Sequence, residues 1–175
     1  MTKPKSEISL RERAKKDFPG AVLDEVIFHG GVELVLTVEL GVLRSAAAML
    51  VADPNWRLSS LENFSVHQKG RTLVFSYFIM SPAGEITACL KTKVPLPSDV
   101  REVDAPSLVK EWPMIATFEA EAGELFGIRF LNEKGESVYK AGGRLPEDWY
   151  GYPLRKAYVF PMEFLGISHV RTKES

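Results

Sequence analysis

Three glutamates, Glu119, Glu121 and Glu124, come nearest in this chain to a spacing that does chemistry. Two carboxylates on one helix face are the raw material of general acid–base catalysis. Glu121 and Glu124 stand three apart and share a face; Glu119 and Glu121 do not. No nucleophile or further base accompanies them in sequence, so the plainer expectation is a solvated acidic face, or carboxylates paired with arginine and lysine. The other reactive residue types are scattered. His29, His67 and His169 lie far apart and lack the close pairing of metal ligands. The single cysteine, Cys89, falls between Ala88 and Leu90 in strand-like sequence and reads as a packed thiol. One cysteine allows no intrachain disulfide and no cysteine-ligated zinc or iron–sulfur site built from this chain alone. Gly30-Gly31 and Gly142-Gly143 are isolated pairs, not phosphate loops. No catalytic, metal-binding or cofactor-binding residue is therefore assigned; a stand-alone enzyme using Glu119, Glu121 and Glu124 is the alternative.

A different chemistry, that of recognition, is concentrated near the C-terminus. Trp149, Tyr150, Tyr152, Tyr158 and Phe160 alternate with Pro146, Pro153 and Pro161, and Arg155 and Lys156 add two charges. Aromatic residues and arginine are the types that anchor protein interfaces, and proline reduces the entropy lost when a segment is ordered. The stretch is too apolar for a solvated tail and has no helix or strand period of its own. It needs a surface to lie on, either its own domain or a partner. Stacking on single-stranded nucleic acid uses similar aromatics but lacks electrostatic support here.

The rest of the chain must position these groups. Its 175 residues suit one domain with an extended arm, and a 45% hydrophobic content is enough for a sizeable core. A net charge of −1 gives no nucleic-acid footprint. No apolar run approaches the roughly 20 residues of a membrane span, and the charged N-terminus has no signal-peptide core; both fit a cytoplasmic protein. Asparagine and glutamine are confined to Asn55, Asn63, Asn132 and Gln68, a composition associated with thermophiles.

A short helix is expected over 6–17, ended by Phe18-Pro19-Gly20. Strands are expected over 22–29 and 32–40, joined at Gly30-Gly31. In the second, Val32, Leu34, Leu36, Val38 and Leu40 share a face. Residues 41–51 take the helical period through Leu43, Ala47, Leu50 and Val51. Residues 57–64 lead by a turn into a strand, 72–79 reads as a central strand, 81–84 as a turn, and 85–94 alternates again. Residues 95–106 read as a loop, too proline-rich for a helix interior or a paired central strand. Ser107 is a helix cap and Pro113 restarts the helix, whose stripe is Ile115, Phe118, Ala122 and Leu125 before Gly127 ends it. A short strand over 128–131 and a polar loop over 132–143 precede the arm. The expectation is an α+β fold, a mixed and largely antiparallel sheet packed with helices in a globular domain over 1–131, followed by a loop and extended partner-binding arm over 132–175.

Several of these blocks form a recognisable set: Trp112-Pro113, Glu119-Ala120-Glu121, Glu124-Leu-Phe-Gly-Ile128, and Leu145-Pro-Glu-Asp-Trp149-Tyr-Gly151-Tyr-Pro153-Leu154-Arg155-Lys156-Ala-Tyr158. In them the chain resembles the C subunit of NADH-quinone oxidoreductase, the small hydrophilic subunit of complex I, and the corresponding subunits of membrane-bound NiFe hydrogenases. Thr117, Ala120, Ala157 and the loop 132–143 depart from the commoner respiratory pattern and bring the resemblance nearer the hydrogenase-type, ferredoxin-dependent branch. The resemblance implies an accessory subunit without cofactors of its own, peripheral on the cytoplasmic face of the membrane within an ion-pumping redox complex. Its implied partners are a large subunit related to the NiFe hydrogenase large subunit and a small iron–sulfur subunit. Iron–sulfur clusters, and in a hydrogenase a NiFe site, belong to those partners. A respiratory NADH/quinone or sulfur-reducing complex is the alternative setting. The expected interface comprises Trp112, Glu119, Glu121, Trp149, Tyr150, Tyr152, Pro153, Leu154, Arg155, Lys156 and Tyr158.

Overall fold

Alternating apolar residues build the main sheet. In the computed structural model, which describes residues 10–24, 34–82, 86–98, 102–139, 143–146, 148–164 and 166–168, helix α1 (Leu10–Asp17) leads into strand β1 (Val22–Asp24). Strand β2 (Leu34–Val38) follows, then a 3₁₀ turn (Leu40–Val42) and α2 (Leu43–Ala52). Strands β3 (Ser60–Lys69), β4 (Thr72–Met80) and β5 (Thr87–Pro95) complete a five-stranded sheet in the order β1-β2-β5-β4-β3. β2 and β5 are parallel and the other neighbours antiparallel, so the sheet is mixed and largely antiparallel, as expected. The expected start of the first helix, the Gly30-Gly31 hairpin, part of the 81–84 turn, His29, His169 and Gly142 lie outside the described residues.

Leu34, Leu36 and Val38 of β2, Leu73, Phe75, Tyr77 and Ile79 of β4, and Ala88, Leu90 and Val94 of β5 supply one face of the core. Leu43, Ala46, Ala47 and Leu50 of α2 belong to the same core. This is the expected helical stripe, except that Val51 is only half-buried and Ala46 takes its place.

The loop expected over 95–106 requires correction. Val103–Pro106 is a strand, β6, paired in parallel with β7 (Ile128–Leu131). Val103 and Ser107 donate their N–H groups to the carbonyls of Gly127 and Leu131 at 3.0 and 2.9 Å. Donors alternate along a strand, so Pro106, which has none, faces away from β7. A two-stranded ribbon tolerates proline on its outer edge. Helix α3 (Ile115–Phe126) joins the two strands. Its expected start at Ser107 is also corrected: Leu108 to Trp112 is a single turn, and Pro113 separates it from α3.

Aromatic rings connect this second layer to the main sheet. Phe130 packs against Phe64 and Phe75 at 6.4 and 6.0 Å between centroids, and Trp112 stacks on Tyr77 at 6.3 Å. Trp112 is 1% exposed and donates its indole N–H to the Leu58 carbonyl at 3.0 Å. The platform under the C-terminal arm is therefore fixed to the core at several points.

Candidate partner interface

The buried side of α3 carries a charge. Ile115, Glu119, Ala122 and Phe126, at i, i+4, i+7 and i+11, face the core. The expected stripe through Phe118 and Leu125 is displaced, both being half-buried. The displacement has a cause in hydrogen bonding. The turn after β6 presents the Leu108 N–H and the Ser107 hydroxyl to α3, and an apolar residue at 119 would leave both unpaired. Glu119 accepts the Leu108 N–H at 2.8 Å, the Ser107 hydroxyl at 2.6 Å and the Tyr139 hydroxyl at 2.9 Å. It is fully buried, so within this chain it binds the fold together. Burial pushes its carboxyl above the usual range, and the three donors oppose that shift. Burial first, then the Glu119 charge, raises the phenols of both Tyr139 and Tyr77.

Tyr139 reaches this cluster because the loop after β7 is not open. Asn132 Oδ1 accepts the N–H groups of Lys134 and Glu136, the chain turns back, and Val138 donates to the Phe130 carbonyl at 2.9 Å. A tyrosine in a polar loop carries no sequence signal for a buried contact.

The acidic face of α3 is tied to the start of the arm. Arg144 donates its backbone N–H to Glu124 at 3.0 Å and places Nη1 3.6 Å from Glu121. A cleft of about 560 Å³ opens between α3, β7 and the arm, lined by Glu119 and Glu124 but not Glu121. The three carboxylates thus do not converge on one space. Among the described residues no three His, Cys, Asp or Glu side chains are grouped to hold a metal ion, and no helix is long and apolar enough to cross a membrane.

From Arg144 onward the chain returns over the end of α3. Gly127 takes a left-handed conformation (φ 65°) and stops the helix, leaving its last carbonyls open. The arm fills them. Leu154 donates its N–H to Leu125 at 3.0 Å, and Arg155 donates Nε to Phe126 at 2.7 Å and Nη2 to Gly127 at 3.0 Å. The Arg155 guanidinium also lies 4.6 Å over the Tyr152 ring, which rests on Gly127. Further along, Lys156 donates its N–H to Gln68 at the end of β3, and Trp149 stacks on Tyr158 with an interplanar angle of 18°. Phe160 packs edge-on against both rings.

Of the expected interface residues, Trp112, Glu119 and Arg155 are thus buried within the chain. Trp149, Tyr152, Pro153 and Tyr158 are half-buried, and Glu121, Tyr150, Leu154 and Lys156 are exposed. Arg155→Met should cost about 2 kcal/mol, because two charge-assisted hydrogen bonds to buried carbonyls are lost. Lysine should recover little of this, since an ammonium lacks the forked geometry. Urea denaturation of both variants checks this: equal stability of Arg155→Met and the parent chain would refute the capping role.

Six large apolar residues of the arm are exposed beside charged ones such as Asp148 and Lys156. Tyr150 is 86% exposed, Val159 84%, Met162 76% and Ile167 63%, with Leu154 and Phe160 each about half exposed. The last of these residues belongs to a small hairpin, β8 (Glu163–Phe164) with β9 (Ile167–Ser168).

Residues 36–163 match the family described as "Respiratory-chain NADH dehydrogenase, 30 Kd subunit". The chain is 33% identical over 149 residues to the C subunit of NADH-quinone oxidoreductase from Roseiflexus sp. (strain RS-1), covering 83% of this chain and 79% of that one. It is 32% identical over 152 residues to the C/D subunit of NADH-quinone oxidoreductase from Gluconacetobacter diazotrophicus, covering 79% of this chain and 23% of that polypeptide. In fold it is similar to a chain from the membrane-bound sulfane sulfur reductase, an archaeal respiratory membrane complex. The TM-score is 0.56 at 16% identity, over 77% of this chain and 76% of that one.

Proposed function

The chain belongs to the respiratory-chain NADH dehydrogenase 30 kDa subunit family, and from that premise we propose that it is a non-catalytic, cofactor-free subunit that binds and stabilises the large subunit of a membrane-bound, ion-pumping redox complex. The observation that carries this reading is the arm. The Leu154 backbone N–H and the Arg155 guanidinium lock it to α3, while the side chains of Tyr150, Leu154, Val159, Phe160, Met162 and Ile167 stay exposed. Exposed apolar side chains on an ordered segment favour a partner surface, and an arm already ordered loses little entropy on binding. The match to a C/D polypeptide, most of whose length lies outside the matched region, supports close association with a second subunit.

The partner in this reading is a large subunit related to that of NiFe hydrogenases, beside a small iron–sulfur subunit, on the cytoplasmic face of the membrane. Thr117, Ala120 and Ala157 support a ferredoxin-dependent, hydrogenase-type complex. The NADH-quinone oxidoreductase names of the curated relatives support a quinone-linked one.

The test is a Leu154→Asp, Phe160→Asp double variant in the native complex, isolated from membranes in mild detergent. Hot-spot residues of an interface each cost about 2 kcal/mol or more when removed, and two buried carboxylates add a desolvation cost, so the large subunit, identified by mass spectrometry, should fall at least tenfold in the preparation. Wild-type recovery would refute the arm as the binding surface.

A further inference from the structure

A second hollow lies on the other flank of the arm, between it, the β3–β4 turn and the end of β5. It has a volume of about 470 Å³. Leu96, Pro97, Tyr150, Tyr158 and Val159 give it an apolar lining, which Arg71 shares. Among the described residues no carboxylate lines it, and none pairs with Arg71, whose described contact is a long 3.5 Å bond to the Leu96 carbonyl. The contrast with the cleft on the α3 side is sharp, for that one is lined by Glu102, Glu119 and Glu124. The Tyr158 hydroxyl is shielded from water and has no hydrogen-bond partner among the described residues.

We infer that this groove receives an extended apolar segment of the partner subunit whose acidic side chain pairs with Arg71. The inference rests on the arm being the partner surface. Two observations support this occupant. Tyr150 and Val159 line the groove and are also the arm's two most exposed apolar residues, so a segment bound against them lies at the groove. Among the described residues the only charges along its lining are cationic, Arg71 and Arg155, and the second is already committed to backbone carbonyls. Arg71 is therefore the group left to select a carboxylate, and its fork favours that geometry.

The experiment uses the intact complex carrying Arg71→Glu, Arg71→Lys or Ala157→Trp, the last placing a large ring in the groove. Arg71 and Ala157 are exposed, so the thermal melts of the isolated variants should match the parent. Arg71→Glu and Ala157→Trp should each reduce the co-purifying large subunit at least tenfold, and Arg71→Lys by a few-fold. A benzoylphenylalanine at position 157 should photo-cross-link to a large-subunit peptide with an Asp or Glu beside an apolar run. Normal recovery with either Arg71→Glu or Ala157→Trp, while the Leu154→Asp, Phe160→Asp variant loses the large subunit, would overturn the groove inference and leave the arm surface standing. Normal recovery with all of them would overturn both. A cross-link only within this chain would also exclude a partner segment from the groove.

Discussion

Glu119→Leu is expected to destabilise the isolated chain by about 3 kcal/mol, and Glu119→Gln by less than about 1 kcal/mol. Leucine leaves the Leu108 N–H and the hydroxyls of Ser107 and Tyr139 without their acceptor in a buried place. Each orphaned donor costs roughly 1–3 kcal/mol, and losing a desolvated charge offsets part of the sum. Glutamine keeps an oxygen for Leu108 N–H, while its amide donates to the two hydroxyls, which rotate to accept. Urea denaturation separates the cases; a leucine variant as stable as the glutamine one would show that the hydrogen bonds do not hold the turn.

The same residue sets a pH dependence with a definite sign. Its folded carboxyl lies above its unfolded one because burial opposes the charge. Between the two values the native state holds more protons than the unfolded chain, so stability falls as pH rises through that window. The contribution is fully present below the ordinary glutamate range, about 4.3, and is lost above the raised folded value. Measured against Glu119→Gln, the parent chain should lose stability on going from acid to neutral pH. A relative gain over that interval would mean the donors outweigh burial.

Local sequence gives no warning that Glu119 is buried. A glutamate flanked by Phe118 and Ala120, with another at 121, has the pattern of a surface face. The groups that draw it inward lie 11, 12 and 20 residues away, and no periodicity reports on them. The core face of β2 is legible, since Leu34, Leu36 and Val38 alternate where that face meets the core, although Val35 on the other face is buried too. β6 is not, since a proline count does not say which edge the missing N–H occupies. The arm is half legible. Its aromatics and prolines announce a docking segment, but the acceptors for Leu154 and Arg155 exist only where α3 stops at Gly127. Sequence types can identify the seeking segment without the surface it seeks. That surface is first the chain's own helix end, with apolar side chains left exposed.

Gly127→Ala should loosen that arrangement by about 3 kcal/mol, of which about 1–2 kcal/mol is the left-handed backbone alone. The remainder is contact. A Cβ at 127 would stand 2.5–2.6 Å from atoms of the Tyr152 ring. The ring cannot stay, and as it moves it leaves the Arg155 guanidinium that stacks on it. Arg155 in turn holds the Phe126 and Gly127 carbonyls, so one methyl group displaces both the packing and the cap. Trypsin should then cut after Arg155 and Lys156 faster than in the parent chain, at a rate reporting arm release. A double-mutant cycle isolates the contact: in a Tyr152→Ala background, Gly127→Ala should cost only its backbone share. An unchanged cost in that background would mean that Tyr152 does not transmit the effect. The coupling matters beyond stability, because a released arm must be ordered again at the proposed interface. In the complex proposed above, Gly127→Ala should therefore weaken recovery of the large subunit although residue 127 is buried beneath the arm.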